Sequence, residues 1–268
     1  MVKELTFGYS PCPNDTFMFN AIAHGWVGVA GYGLMPELHD VETLNRLAMD
    51  ALLDVTKLSF YAWMEVKDSY RLLHSGAAMG FGCGPVLIAR KPLDPTGIRN
   101  CRVALPGQWT TAHLLFRLWA PDVHQRVFVP YDRIFDALAS GEVDCGVIIH
   151  ESRFTFKTAG FTQIVDLGAW WEGKTGLPIP LGGIAARKRL GDPLIEKIDA
   201  ALNSSIQRAM TNPDEAMPYI RQYAQEMDAT VIKAHIQTFV NDFSLKLTGQ
   251  GCRAIELLES LARDAGVI

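Results

Sequence analysis

The sequence contains no run of lysine or arginine longer than three residues, and its 25 basic residues are outnumbered by 29 acidic ones, a net charge of −4. A surface that grips nucleic-acid phosphates needs clustered positive charge, so nucleic acid is not an expected partner. No apolar stretch approaches the ~18 residues that span a bilayer, which argues against stable membrane insertion. Residues 1–10 carry no apolar signal-peptide core and read directly into a strand, so a cytoplasmic location is expected. Cysteine is sparse: five residues, at 12, 83, 101, 145 and 252, with no C-x-x-C spacing. Disulfides and structural zinc are therefore not expected, and the thiols should be reduced and mostly buried.

Several catalytic motifs are also missing. There is no G-x-x-x-x-G-K-[ST] phosphate loop and no G-x-S-x-G elbow. His150-Glu151-Ser152-Arg153-Phe154 begins like a zincin helix but has Phe154 where the second histidine must stand. Gly80-Phe81-Gly82-Cys83-Gly84-Pro85 lacks dinucleotide-loop spacing, and the other six histidines show no metal-ligand spacing. An enzyme built on this chain is expected to work by acid–base chemistry, with no metal and no cofactor.

What is present is a globular composition, 49% hydrophobic and 20% charged over 268 residues, enough to build real cores. Strand and helix patterns alternate, which predicts parallel sheets of βαβ units. Strands are expected at 5–9, 54–58, 70–73 and 86–89. Helices are expected from an Asn14 cap to about 24, after an Asp40 cap with Leu44, Leu47, Ala48, Ala51 and Leu52 on one face, and from near Ser59. A second block predicts strands at 101–105, 127–129, 143–149 and 164–167, with helices from about Thr110 and over 133–140. Pro178 and Pro180 then break the chain before an apolar strand at 182–186, and the remainder reads as four helices without a sheet of their own. The simplest packing sends that helical tail back onto the first block. This gives a two-lobed α/β protein: residues 1–90 plus 184–268 in a larger lobe, 91–183 in a smaller one. Two strands cross between the lobes beside an inter-lobe cleft. Such lobes commonly hinge around a ligand.

In open α/β sheets ligands bind beyond the carboxyl ends of the strands, and four such junctions are polar. They are Ser10-Pro11-Cys12-Pro13-Asn14-Asp15-Thr16, Thr56-Lys57-Leu58-Ser59, Gly107-Gln108-Trp109-Thr110-Thr111 and His150-Glu151-Ser152-Arg153. Helix starts at Ser59 and at Thr110/Thr111 offer unpaired amides to an anion. Taken singly, Ser59, Thr110 and Asn14 read as plain helix caps; four polar junctions around one cleft point to a site for a small anionic organic molecule. His150 ends an apolar strand and titrates near roughly 6.5 when unperturbed, which suits a proton acceptor. Asp15 is placed to orient it or to contact ligand, Glu151 and Arg153 suit a local ion pair, and Trp170-Trp171 suit core packing.

These junctions resemble the 1,4-dihydroxy-6-naphthoate synthase family. The resemblance is carried by Ser10-Pro11-Cys12-Pro13-Asn14-Asp15-Thr16-Phe17, Asp40-Val41-Glu42-Thr43-Leu44-Asn45, Thr56-Lys57-Leu58-Ser59, Pro106-Gly107-Gln108-Trp109-Thr110-Thr111-Ala112, Ile148-Ile149-His150-Glu151-Ser152-Arg153-Phe154 and Asp166-Leu167-Gly168-Ala169-Trp170-Trp171-Glu172, and it runs nearly end to end. It implies the type II periplasmic-binding-protein fold, to which the two-lobed reading also leads. It further implies a lyase of menaquinone biosynthesis by the futalosine pathway, converting cyclic dehypoxanthinyl futalosine to 1,4-dihydroxy-6-naphthoate. In that reading His150 is the general base, and Lys57, Leu58, Ser59, Thr110 and Thr111 contact the substrate. Two other readings stay open: a solute-binding receptor of the same fold, which has no evident use for a titratable histidine in its cleft, and a sibling chorismate dehydratase, which the I-I-H-E-S-R block disfavours.

Overall fold

A computed structural model describes residues 3–225 and 228–268. The first stretch of chain runs through β1 (Lys3–Tyr9), α1 (Pro13–Ala23), β2 (Tyr32–Leu38), α2 (Val41–Met49), β3 (Val55–Ser59), α3 (Phe60–Val66), β4 (Tyr70–Leu72) and β5 (Ala78–Gly80). Next come β6 (Val86–Ala89), β7 (Val103–Leu105), α4 (Thr111–Trp119), β8 (Arg126–Phe128), α5 (Ile134–Ser140), β9 (Cys145–Ile148), α6 (Ser152–Thr155), β10 (Thr162–Asp166) and α7 (Leu167–Thr175). Strand β11 (Ile179–Arg187) then leads into α8 (Asp192–Thr211), α9 (Pro213–Tyr223), α10 (Ala229–Phe239), α11 (Asp242–Leu245) and α12 (Gln250–Asp264).

Two sheets result. One has the order β2-β1-β3-β11-β4 with β5 also on β11, and the other the order β10-β6-β9-β7-β8. Neither is purely parallel, contrary to the expectation from alternating elements. Strand β1 runs parallel to β2 and β3, and β7 parallel to β8 and β9, but β11 is antiparallel to β3, β4 and β5, and β6 to β9 and β10. The exceptions follow from connectivity. A strand that arrives from the other sheet enters at the carboxyl ends of its neighbours and must run against them. The sheets also change hands at different residues from those expected. Strand β6, assigned from sequence to the lobe ending at 90, pairs with β9 and β10, and β11 joins the first sheet from Ile179 rather than 184.

Local chemistry explains most element ends. The Asp40 carboxylate accepts the amides of Glu42 and Thr43 and starts α2. That helix stops at Met49, so Leu52, expected on its apolar face, lies outside it and is exposed. Strand β2 carries Gly33 and Pro36 and pairs only with β1, as an edge strand can. Pro180, expected to break the chain, sits inside β11 where that strand is paired only with β5, so its missing N–H costs no ladder bond on the other side.

The helical tail packs back as expected and also reaches further. Ile195, Ile198, Ala201, Leu202 and Ile206 of α8 join Phe17, Met18 and Ile22 of α1 in one core, together with Ile220 of α9. Helix α12 instead lies against β11 and α4, burying Leu258 and Ala262 with Leu114 and Leu115. The tail therefore ties the two sheets together.

The junction before β6 depends on a close approach of two glycines. A side chain on Gly84 would run into the backbone of Gly168 at the start of α7. Gly84→Ala is expected to lower unfolding free energy by about 1–3 kcal/mol, measured by denaturant titration, while Gly25→Ala, with open space around it, tests only the cost of its positive φ.

Candidate active site

One hollow lies between the two sheets, lined from both. Asn14, Asp15, Lys57, Leu58, Ser59, Thr110, Thr111 and His150, chosen from the sequence, all face it. Other residues complete the wall: Val41, Cys83, Pro85, Ile149, Leu181 and Phe239 supply apolar surface, Ser10 and Arg153 come from the polar junctions, and Gly182 lines it too. Gly182 has a steric reason to be glycine, since a Cβ there would stand 2.5 Å from the Leu58 carbonyl oxygen.

At the base of the hollow is a buried ion pair. Lys57, on β3, places Nζ 2.6 Å from Oδ1 of Asp15 in the first turn of α1, and both side chains are nearly inaccessible. The same carboxylate accepts the Asn14 amide at 2.8 Å on Oδ1, and the Ser10 amide at 3.1 Å and hydroxyl at 2.7 Å on Oδ2. Four donors thus satisfy Asp15. Asn14 does not cap the helix as expected: Cys12 occupies the cap position, and the Asn14 side chain bridges Asp15 to a histidine of α10.

The helix starts behave differently from one another. Ser59 stands at the N-cap of α3 without capping it; its hydroxyl oxygen accepts Nδ2 of Asn45 at 3.2 Å and its amide donates to Oδ1 of Asn45 at 2.9 Å. Thr110 caps α4, accepting the His113 amide at 3.3 Å and donating to the Gly107 carbonyl at 3.0 Å. Thr111 donates to the Leu181 carbonyl at 2.6 Å and accepts the Tyr61 amide at 3.3 Å. Both threonine hydroxyl protons are therefore committed. The amides of Thr111 and Ala112 have no protein partner among the described residues, so α4 presents backbone N–H groups, rather than hydroxyls, to an anion.

Glu42 braces this turn from the opposite sheet. Its carboxylate accepts the amides of Gln108 and Trp109, both at 3.0 Å. This buried acid on α2 holds the loop ahead of α4 across the hollow.

His150 follows β9 with a left-handed backbone, φ +54°, a conformation uncommon for non-glycine residues and frequent at functional positions. Burial pushes its imidazole down to about 4; Lys57 lowers it further, and Asp15 and Asp40 oppose the fall. The ring is neutral at physiological pH. Tyr131 meets it edge-on at 5.0 Å, and the ring of His235 lies parallel at 6.1 Å. Burial likewise raises the Cys12 thiol far above its usual range, with Glu151 adding to the rise, so Cys12 is a protonated thiol and not a nucleophile. Arg153, expected to pair locally with Glu151, donates to the Gly84 carbonyl at 2.6 Å and pairs with Asp166 at 2.7 Å, fastening α6 to the crossing segment before β6.

His235 is the functional-looking residue that sequence reasoning passed over. It lies 85 positions from His150 in a helix whose apolar spacing reads as core. The described residues contain no group of three or more His, Cys, Asp or Glu arranged to hold a metal ion.

The profile of a family described as menaquinone biosynthesis matches residues 5–264. The chain belongs to that family. A curated member, 1,4-dihydroxy-6-naphthoate synthase of Thermus thermophilus, is 48% identical over 270 residues, 99% of this chain and 96% of the relative. The Streptomyces coelicolor protein of the same name is 41% identical over 269 residues, 98% and 94% of the two chains. A solved structure from Archaeoglobus fulgidus superposes with a TM-score of 0.94 at 35% identity, covering 99% and 98%. At 16% identity a Candida albicans protein, described as having the generic periplasmic-binding-protein fold, superposes with a TM-score of 0.70 over 99% and 90%. Within the menaquinone biosynthesis family this chain therefore has the two-lobed periplasmic-binding-protein architecture. No helix among the described residues is long and apolar enough to cross a membrane.

The ion pair gives a direct test of the site's framework. Asp15→Asn leaves Lys57 charged and buried, and is expected to cost about 3–5 kcal/mol of stability. The double variant Asp15→Asn/Lys57→Met should lose less than the sum of the two single changes, as read by a double-mutant cycle in denaturant.

Proposed function

We propose that the chain converts cyclic dehypoxanthinyl futalosine to 1,4-dihydroxy-6-naphthoate in the cytoplasm, as a carbon–carbon lyase that needs no metal or cofactor. The observation that carries this reading is the convergence on one hollow of a neutral imidazole, a buried ammonium and an amide-lined helix start. The relatives' names supply the product, and these groups supply a chemistry that suits it.

The substrate already holds the carbon skeleton of the naphthalene rings with a sugar remnant attached. His150 takes an acidic proton beside a carbonyl. The released electron pair forms the new double bond as the bond to the remnant breaks; the remnant leaves with that bond's electron pair and takes up a proton, and the aromatic product makes the step downhill. The Lys57 ammonium and the free amides of Thr111 and Ala112 stabilise the substrate carboxylate or the oxyanion that develops at the carbonyl. Ser59 and Leu58 shape the same wall, and Asn14 and Asp15 hold Lys57 in place. The neutral state of His150 supports its role: a protonated imidazole has no lone pair to offer. A solute receptor of the same fold would bind the molecule and release it unchanged.

The purified protein incubated with the cyclic substrate should yield the naphthoate by mass spectrometry; recovery of intact substrate would identify a receptor instead. His150→Ala should lower kcat by roughly 10²–10⁴-fold with the fold retained. The acid limb of kcat/KM should follow the folded protein's imidazole. Activity requires the neutral form, so it should hold down to about pH 4 and fall below it, rather than declining through the ordinary histidine range of about 6.5.

A further inference from the structure

The geometry assigns His235 a positioning role behind the catalytic base, in which its Nε2–H anchors the oxygen end of Asn14 and so helps to hold Asp15 and Lys57 in place. The inference rests on the reading of His150 as the base, and goes beyond it by naming the residue that holds the base's surroundings in one arrangement.

The hydrogen bonds fix which nitrogen of His235 carries a hydrogen toward Asn14, while its Nδ1 lies 3.9 Å from a carboxylate oxygen of Glu151. Asn14 Nδ2 lies 2.8 Å from Oδ1 of Asp15, a carboxylate that can only accept, so the nitrogen end of that amide points to Asp15. Its oxygen then faces Nε2 of His235 at 2.9 Å, and Nε2 must carry the hydrogen. An unbroken chain runs from His235 on α10 through Asn14 and Asp15 on α1 to Lys57 on β3. Three elements distant in sequence thereby agree on where the ammonium of the hollow sits.

The same histidine faces the base. Its ring lies within 11° of parallel to that of His150, with 6.1 Å between centroids, although the two belong to opposite sheets' elements. His235 is fully buried and does not line the hollow, so it has no route to substrate and acts only through its neighbours. Phe239, one turn further along α10, does line the hollow and packs on the His235 ring at 4.8 Å, which holds that ring in place. If the Nε2 donor is removed, the Asn14 oxygen is left buried without its His235 hydrogen bond, the amide is held from the Asp15 side alone, and the Lys57 anchor loosens.

Two variants separate the parts of this role. His235→Phe keeps a flat ring behind His150 and deletes the donor; His235→Gln keeps a donor near the Nε2 position and deletes the ring. Misplacement of a reacting group by about 1 Å can cost on the order of 10²-fold. His235→Phe is therefore expected to lower kcat about 10–100-fold with KM changed less than about threefold, and His235→Gln should recover most of that loss. Long-range ¹H–¹⁵N NMR of the unliganded wild-type protein at neutral pH should show His235 as the Nε2–H tautomer. Wild-type kcat in a folded His235→Phe, a folded His235→Gln as impaired as the phenylalanine variant, or an Nδ1–H tautomer or imidazolium in the wild type would each overturn the assignment. Full turnover by His150→Ala would instead remove the base reading alone, and the NMR experiment would still decide how His235 and Asn14 are joined.

Discussion

The ion pair of Lys57 and Asp15 is the interaction on which the rest of the site depends. Taking two charges out of water is expensive, and their mutual attraction repays that cost only when further hydrogen bonds satisfy the remaining lone pairs. Here Ser10 contributes an amide and a hydroxyl, and Asn14 an amide. Those partners are available only if the start of α1 sits at the carboxyl end of β3, and that placement in turn opens a floor to the hollow. The short segment Ser10–Asp15 is thus constrained almost residue by residue by one carboxylate.

The electrostatics of the hollow follow from this arrangement. A lone buried ammonium would push a nearby imidazole toward its neutral form, and a lone buried carboxylate would do the reverse. With both present at His150, desolvation is the larger effect and leaves the ring neutral. Tyr131 and Cys12, both protonated because burial raises them, add bulk and dipoles without adding charge. The site therefore sets an ammonium already paired with Asp15 beside one uncharged base, so an anion would be met by the remaining Lys57 N–H donors and the amides at the start of α4.

Enclosure comes from contacts between the two sheets' elements. Glu42 of α2 grips the amides ahead of α4, Thr111 joins Tyr61 and Leu181, and α12 packs on both β11 and α4. Thr111 accepts the Tyr61 amide, a group that the start of α3 would otherwise leave unsatisfied. The same amide-rich turn that faces the anion is thereby held by the opposite lobe, which couples closure of the hollow to the geometry of its anion-binding end.

Much of this was legible in the chain. Alternating apolar segments locate most strands and helices, Asp40 and Thr110 announce their helices as caps, and the polar residues at strand ends mark the wall of the hollow. These are local signals, set by backbone propensity and by which side chains must leave water. Other features were not local. The antiparallel strands β6 and β11 arise because the chain crosses between sheets, so a βαβ pattern misreads them. Arg153 pairs with Asp166, and the hydroxyl of Thr111 turns to the carbonyl of Leu181, because folding brings those partners within hydrogen-bond reach. His235 carries no mark in its helix; only the packing of α10 against α1 brings it to Asn14 and behind His150. By itself the sequence determined the kind of residues at each strand end. The tertiary structure alone decided which of their atoms remain free, because a hydrogen bond depends on distances between residues that the order of the chain does not specify.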